Sequence, residues 1–296
     1  MTAALDIMMP FYGDVGLFVL AVESVRRQEG DWRLVVIDDR YPDPEPARYI
    51  AALDDPRIEY VLNDENLGIS GNFQRAIDLA SAPYTVIMGC DDIMLPGFVS
   101  RVLALAERFP DAAYLQPRVR TIDSAGAPAV GLTDRIKSIL EPRGERPLVL
   151  SGEELATSLL RGNWTYFPSL CWKTEVLREH GFDPGYDIVL DLALQIDIIV
   201  GGGSLVLDGE LVFEYRRHRA SASSWTSSDN KRFIEERRFF LETADRLDRL
   251  GWRRAARTSR AHVLSRLNAG IRAPGALVRR DWRGVSSLGK HLFSRR

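Results

Sequence analysis

The chain has 296 residues, of which 45% are hydrophobic and 27% charged, and 39 basic against 41 acidic side chains leave a formal net charge of -2. That is globular composition, enough for one large core or two small ones, with no global attraction to nucleic acid or to a membrane surface. Cys90 and Cys171 lie far apart without Cys-x-x-Cys spacing, which speaks against a disulfide framework or a thiol metal site. The opening "MTAALDIMMPFYG" lacks a basic region before an apolar one, and no uncharged apolar run approaches the roughly 18 residues of a spanning helix. A cytoplasmic protein, at most peripheral to a membrane, is therefore expected.

In chain order, "LDIMMP" reads as a short buried strand. "DVGLFVLAVESVRRQ" places Val15, Phe18, Val19, Val22 and Val25 at helical spacing behind a cap at Asp14. "WRLVVIDD" is a β-branched strand ending in acids, "PARYIAALDD" a helix and "RIEYVLN" a strand. "SGNFQRAIDLA" is a helix with Phe73, Ala76, Ile77 and Ala80 on one face, and "YTVIMG" is a strand. "PGFVSRVLALAERF" is a helix with Pro96 near its first turn, and "AAYLQPRV" a further strand. These strands are apolar throughout, as strands buried on both faces are, so a parallel sheet covered by helices is predicted. Residues 121–150 read as loop-rich, with "SAGAPAVG" and "EPRGERP". "SGEELATSLLRG" is a helix with a capping box from Ser151 to Glu154, and "TEVLREHG" a helix stopped by Gly181. "YDIVLDLALQIDIIVGGG" is a long apolar helical segment, "SLVLDGELVFEYRRH" strands or a hairpin, and 229–250 a charged amphipathic helix.

In an open parallel sheet, ligands sit beyond the carboxyl ends of the strands. Asp38 and Asp39 end one strand and Asp91 and Asp92 another, so both pairs project to the same edge. Four crowded carboxylates repel unless a cation sits among them, and a hard divalent ion with oxygen ligands is the natural partner. Mg²⁺ or Mn²⁺ in turn brings phosphates, which points to a metal–diphosphate site.

The set "PFYGD…LAVESVRRQ", "VVIDD", "NLGISGNFQRAIDLA", "GCDDIMLPGFV", "GFDPGYDIVLDLALQI" and "YRRHRASASS", in this order over residues 5 to 225, resembles the family 2 glycosyltransferases. The resemblance implies an α/β, GT-A type (Rossmann-like) fold with a mostly parallel sheet covered by helices and a C-terminal helical extension. It implies a nucleotide-sugar-binding half over 1–120, an acceptor-binding half of the same domain over 121–225, and a helical, basic region over 226–296. By position, Pro10 and Tyr12 lie near the nucleotide base, and Asp39, with Asp38, contacts base or ribose. Asn66 and Gly68 match the loop beside the donor. Asp92 matches the metal ligand, Asp91 a ribose or sugar contact, Asp191 the general base for the acceptor hydroxyl, and His218 a late residue completing the metal or diphosphate site. The implied reaction is inverting transfer of a single sugar, assisted by Mn²⁺ or Mg²⁺, to a glycan or lipid-linked acceptor. Donors with UDP or dTDP come first and those with GDP next. The pattern departs at Gly89, where a further Asp is common, at "DDRYPDPEP" in place of Asp-Asp-Gly-Ser, and at Gly13 in place of Asn. The Gln-x-x-Arg-Trp element of polymerising members is missing, in keeping with single transfer.

Each signal has a plainer reading. Asp91 and Asp92 could be acids at a helix N-terminus. Asp38 and Asp39 could be a polar strand end before the turn at Tyr41–Pro44. Asp187 shares a helical face with Asp191 and rivals it as base, and Asp197 lies elsewhere. His218 could be a solvated histidine among arginines, and Ser70 a helix N-cap. Trp164, Tyr166, Phe167 and Trp172 are core aromatics unless they stack on a sugar. After Gly251 there are twelve Lys and Arg against one acid, Asp281, interleaved with Trp252, Leu264, Leu267, Ile271 and Trp282. Such a tail either lies on an anionic membrane or packs on the catalytic domain or a second subunit. No nucleic-acid-binding module is recognisable. The non-enzyme alternative is a sugar-nucleotide-binding or scaffold protein of the same fold.

Overall fold

A computed structural model describes residues 3–217 and 229–278. In chain order the elements are β1 (Leu5–Phe11), α1 (Val15–Arg26), β2 (Trp32–Asp38), α2 (Glu45–Leu53), β3 (Ile58–Leu62), α3 (Gly68–Leu79), β4 (Tyr84–Ile87), β5 (Ile93–Met94), α4 (Phe98–Arg108) and β6 (Tyr114–Ile122). Then come α5 (Leu132–Leu140), β7 (Leu148–Ser151), α6 (Gly152–Arg161), β8 (Cys171–Lys173), α7 (Thr174–His180), α8 (Leu190–Val200), β9 (Ser204–Arg216), α9 (Asp229–Arg249), α10 (Arg253–Ala261) and α11 (Val263–Val278).

The sheet order is β3-β2-β1-β4-β8-β6-β9-β5, with β7 also on β9. Strands β3, β2, β1 and β4 run parallel, as do β6 and β9. The antiparallel members are β8, between β4 and β6, and β5 and β7 on β9. The α/β sheet covered by helices is as expected. Its continuous apolar strands serve two cores. Ile7, Met9 and Phe11 with Leu34 and Val36 pack under α1 and α4. Met8, Val35 and Ile37 pack on the opposite face, with α3, α6 and α8. Successive side chains of a strand point to opposite faces, so a strand covered on both sides has no polar register.

Several expectations are corrected. Strand β8 lies in the stretch read only as aromatic core, though Trp164 and Trp172 are indeed fully buried. Residues 121–150 contain α5. "SLVLDGELVFEYR" is one strand, not a hairpin. Helix α8 begins at Leu190, so Asp187 precedes it and shares no helical face with Asp191. Ser151 makes no side-chain cap; instead, Glu153 Oε1 accepts the N–H groups of Arg254 and Ala255 and so caps α10. Helix α3 starts ahead of Ser70, whose hydroxyl donates to Asp187. Helix α4 begins only at Phe98, after a left-handed Gly97 and the strand β5. Pro96 therefore lies ahead of the helix, and Asp91 and Asp92 lie beyond the first turn within which a helix dipole acts.

The C-terminal helices share the domain core. Phe239, Phe240 and Leu247 of α9 and Ala255 and Ala256 of α10 are buried in the same cluster as α6 and α8. Arg253, Arg254 and Arg257 face outward. Among the described residues no helix is long and apolar enough to cross a membrane.

Candidate functional site at the carboxyl edge of the sheet

The parallel register brings the ends of β1, β2 and β4 together. Phe11 pairs with Asp38, and Asp39 N–H donates to Phe11 O at 3.0 Å. Pro10 is buried within β1, whereas Tyr12 is exposed and meets Tyr41 edge-on, with ring centroids 5.6 Å apart.

The two acid pairs differ in how they are held. Asp38 and Asp39 are both buried and both engaged within the chain. Asp38 accepts Tyr41 N–H at 2.7 Å and the Tyr60 hydroxyl. Asp39 accepts Leu67 N–H at 2.7 Å, Gly68 N–H at 2.9 Å and the Asn63 amide at 3.0 Å. It thus caps α3 from the end of a neighbouring strand, satisfying N–H groups that a helix start leaves open. Asn66 closes the clasp by donating to Asp39 O at 2.8 Å, and Gly68 takes the left-handed φ of 70° that the turn requires.

Asp92 is different. It is 1% exposed, and Oδ1 accepts Arg216 N–H at 2.8 Å, but Oδ2 is buried without a hydrogen-bond partner. Burial and the neighbouring Asp91 push its carboxyl well above the usual carboxylate range, against the pull of Arg216 and Arg217. A Cβ on Gly89 would stand 2.5 Å from that oxygen, so the position where a further acid is common is closed here by space. Among the described residues no group of three or more His, Cys, Asp and Glu could hold a metal. His218 lies outside the described residues. Two carboxylates, one with an orphaned oxygen, nevertheless suit Mg²⁺ or Mn²⁺, which bind through one or two carboxylates and take other ligands from substrate phosphates.

From Asp92 a continuous set of contacts leads to Asp191. Arg216 also donates Nε to Asp91 O at 2.7 Å. Arg217 donates to Asp134 on α5 at 2.9 Å, and the Tyr166 hydroxyl donates to the same oxygen at 3.1 Å. Lys137, one turn along α5, sits 4.3 Å over the Tyr166 ring and donates to Thr165 O. The Thr165 hydroxyl donates to Asn163 Oδ1 at 2.7 Å, and Asn163 Nδ2 donates to Asp191 Oδ2 at 2.8 Å. Burial pushes the Asp191 carboxyl up, opposed chiefly by the Lys137 charge. Burial pushes the Lys137 ammonium down to about 8. On α9, Glu235 accepts the N–H groups of Asp187, Ile188 and Val189 and so fixes the approach to α8. Asp187 is a partly exposed acid paired with Lys231, which with Ser70 holds its carboxyl below the usual range. Asp197 pairs with Arg246.

Lys137, Asn163, Asp134, Arg216 and Arg217 were not singled out as site residues in the sequence. The signal available for α5 was "LTDRIKSIL", with Leu132, Ile136 and Ile139 at helical spacing. It is inverted, because Leu132 and Ile139 are exposed while Asp134 and Lys137 face the site.

Comparison with known proteins agrees with this architecture. The family model for Glycosyl transferase family 2 matches residues 6–149. A protein named as a colanic acid biosynthesis glycosyl transferase, WcaA of Escherichia coli (strain K12), is 34% identical over 113 residues, 38% of this chain and 40% of that protein. The succinoglycan biosynthesis protein ExoO of Rhizobium meliloti (strain 1021) is 33% identical over 113 residues, 38% of this chain and 31% of ExoO. The chain thus spans less than half the length of these relatives. The crystal structure of S. aureus TarS 1-349 in complex with UDP-GlcNAc superimposes with a TM-score of 0.61 at 12% identity, over 82% of this chain and 66% of that one. This likeness shows the fold, of the GT-A type. Through residues 6–149, the chain is similar to glycosyl transferase family 2.

Proposed function

We propose that this chain is an inverting family 2 glycosyltransferase that moves one sugar from a nucleotide-diphosphate sugar to an acceptor hydroxyl, with a divalent cation. The observation that carries the reading is the buried, unpartnered Oδ2 of Asp92 beside Asp91 at the end of β4. Asp92 would hold Mg²⁺ or Mn²⁺, with His218 and diphosphate oxygens completing the set. When bound, the cation offsets charge on the departing diphosphate as a Lewis acid.

The chain's own residues do the rest. Tyr12 offers an exposed ring to the base, and Pro10 fixes the strand end behind it. Asp91 contacts the ribose or sugar. Asp38 and Asp39 face the nucleotide, and Asp39 holds the loop of Asn66 and Gly68 against it. Asp191 takes the proton of the acceptor hydroxyl, held for that by Asn163 and by the Lys137 charge. The acceptor oxygen bonds to the anomeric carbon from the face opposite the leaving group. The bond from that carbon to the phosphate oxygen breaks, and its electron pair leaves with the nucleoside diphosphate. One attack from the opposite face inverts the centre without a covalent intermediate. Asp187 is unsuited to the role because a lysine and a serine already engage it.

The N-terminal half binds the donor, residues 121–225 bind the acceptor, and α9 braces the start of α8. UDP sugars lead as donors, supported by the complexes of TarS with UDP-GlcNAc and UDP; dTDP sugars stand beside them and GDP sugars next. Polysaccharide biosynthesis is the setting, with a glycan or lipid-linked acceptor. We place the protein in the cytoplasm at the membrane face, a reading supported by the exposed Leu250, Val263 and Leu267 and by the outward arginines of α10. The test is calorimetric titration with UDP, dTDP and GDP, with and without Mn²⁺, on the wild type and Asp92→Ala. Metal-dependent binding of one nucleotide, lost in the variant, is expected; no binding by folded protein overturns the reading. Binding of a donor that is neither transferred nor hydrolysed would leave a non-catalytic binder.

A further inference from the structure

A cavity of about 540 Å³ opens between β6, β9 and α5, and Lys137 in its lining is linked through Thr165 and Asn163 to Asp191. It has the size of an ordinary small-molecule site. Four cations line it, Arg118, Arg120, Lys137 and Arg146. The acids that also line it are already engaged. Asp134 accepts from Arg217, Tyr166 and Gly131. Asp208 is held by Arg101, which approaches from outside the lining. Arg120 is matched by Glu214, also from outside. Glu141 pairs with Arg146 through Nη2 only, and Arg146 Nη1 is buried without a partner. Arg118 pairs with no acid among the described residues, and Lys137 donates to a carbonyl rather than a carboxylate. A guanidinium nitrogen left without an acceptor is a costly arrangement, and Arg146, which carries it, lines the cavity.

We propose that this cavity receives an anionic group of the acceptor, a phosphate or a carboxylate carried close to the hydroxyl that is glycosylated. The proposal rests on Asp191 being the base, since Lys137 both lines the cavity and stands beside that carboxylate. Arg118 and Arg146 grip the anion, and Lys137 joins the anion site to the reacting hydroxyl. The acceptor is thereby selected by charge as well as by shape.

The test uses the full chain and saturation-transfer NMR with three probes: glucose 1-phosphate, glucuronate and neutral methyl glucoside. At least one anionic sugar should bind about tenfold tighter than the neutral one, and Arg118→Gln should weaken it about tenfold. Arg146→Gln should do the same; because it also frees Glu141, the exposed Arg118 variant keeps the test valid should that one misfold. Binding of the phosphate sugar alone names a phosphorylated acceptor, and binding of glucuronate alone an acidic sugar. A phosphate sugar lodged in the donor cleft would ignore Arg118. Equal binding of all three, no binding of any, or anion binding unmoved in folded variants overturns the proposal. UDP titration of the wild type reports separately on the donor reading. Its failure beside intact anion discrimination would sink that reading and leave the cavity an anion site.

Discussion

Two carboxylates buried in the same sheet, Asp6 at the start of β1 and Asp92 beyond the end of β4, are treated in opposite ways. Asp6 is fully enclosed, and every visible demand on it is met: Arg33 binds it bidentately at 2.9 Å through Nε and Nη2, and Ala82 N–H adds a bond at 2.8 Å. Asp92 is as enclosed, yet one oxygen has nothing. A buried charge is tolerated when it is paired and hydrogen-bonded and is costly when it is not. The contrast separates a carboxylate that holds the sheet together from one left with an open oxygen.

If the contrast is right, substitutions at the carboxyl edge break function and spare the fold, while those at the amino edge do the reverse. The largest effect is expected for Asp191→Asn, with transfer falling about a thousandfold, roughly 4 kcal/mol, and melting temperature nearly unchanged. A comparable loss of thermal stability would mean that Asp191 is a structural acid. Next is Asp6→Ala, which should lower stability by about 3 kcal/mol in urea unfolding. A loss under about 1 kcal/mol would erase the distinction.

Asp92→Asn should go the other way, raising stability at neutral pH by about 1 kcal/mol in metal-free buffer while abolishing Mn²⁺-dependent nucleotide binding. The sign follows from linkage. The Asp92 carboxyl is higher in the folded chain than in the unfolded one, so the folded state holds the proton more tightly. Stability is therefore favoured at low pH and declines as pH rises from the ordinary carboxylate value, about 4, through the raised folded one. Unfolding curves at stepped pH should show this decline in the wild type and lose it in Asp92→Asn.

A smaller change is expected for Lys137→Met. The Lys137 charge lowers the Asp191 carboxyl, so its removal should move the acid limb of the rate–pH profile to higher pH. An unmoved limb would detach Lys137 from the base. Smallest is Asp187→Asn, which removes a partly exposed pair with Lys231 and should cost under about 1 kcal/mol and leave turnover within about twofold. A large fall in turnover would return the base to Asp187.

How much of this was legible followed the range of the interactions. The strands from β1 to β4 and helices α1, α3 and α4 show in local apolar runs, and the sheet rule then places Asp38, Asp39, Asp91 and Asp92 at one edge. What stayed hidden depends on distant partners. The work of Asp39 is set by Leu67 and Gly68, and the setting of Asp191 by Asn163 and Lys137. Strand β8 is three residues in an aromatic stretch, too short for periodicity to register. Helix α5 was masked by flanking Gly and Pro and by turning its polar side inward.

The position of β8 also bears on how the chain is born. Strands β1 to β4 are complete by residue 87, yet the free edge of β4 is closed by residues 171–173, and only through them does β6 join the sheet. A nascent chain therefore leaves the ribosome with an open sheet edge for more than eighty residues of synthesis. Pairing so distant in sequence is slow to form, and an unpaired apolar edge is prone to the wrong neighbours. The N-terminal half of the sheet is thus a passenger of the later chain: it matures only when a three-residue strand, synthesised long after it, is threaded in beside β4.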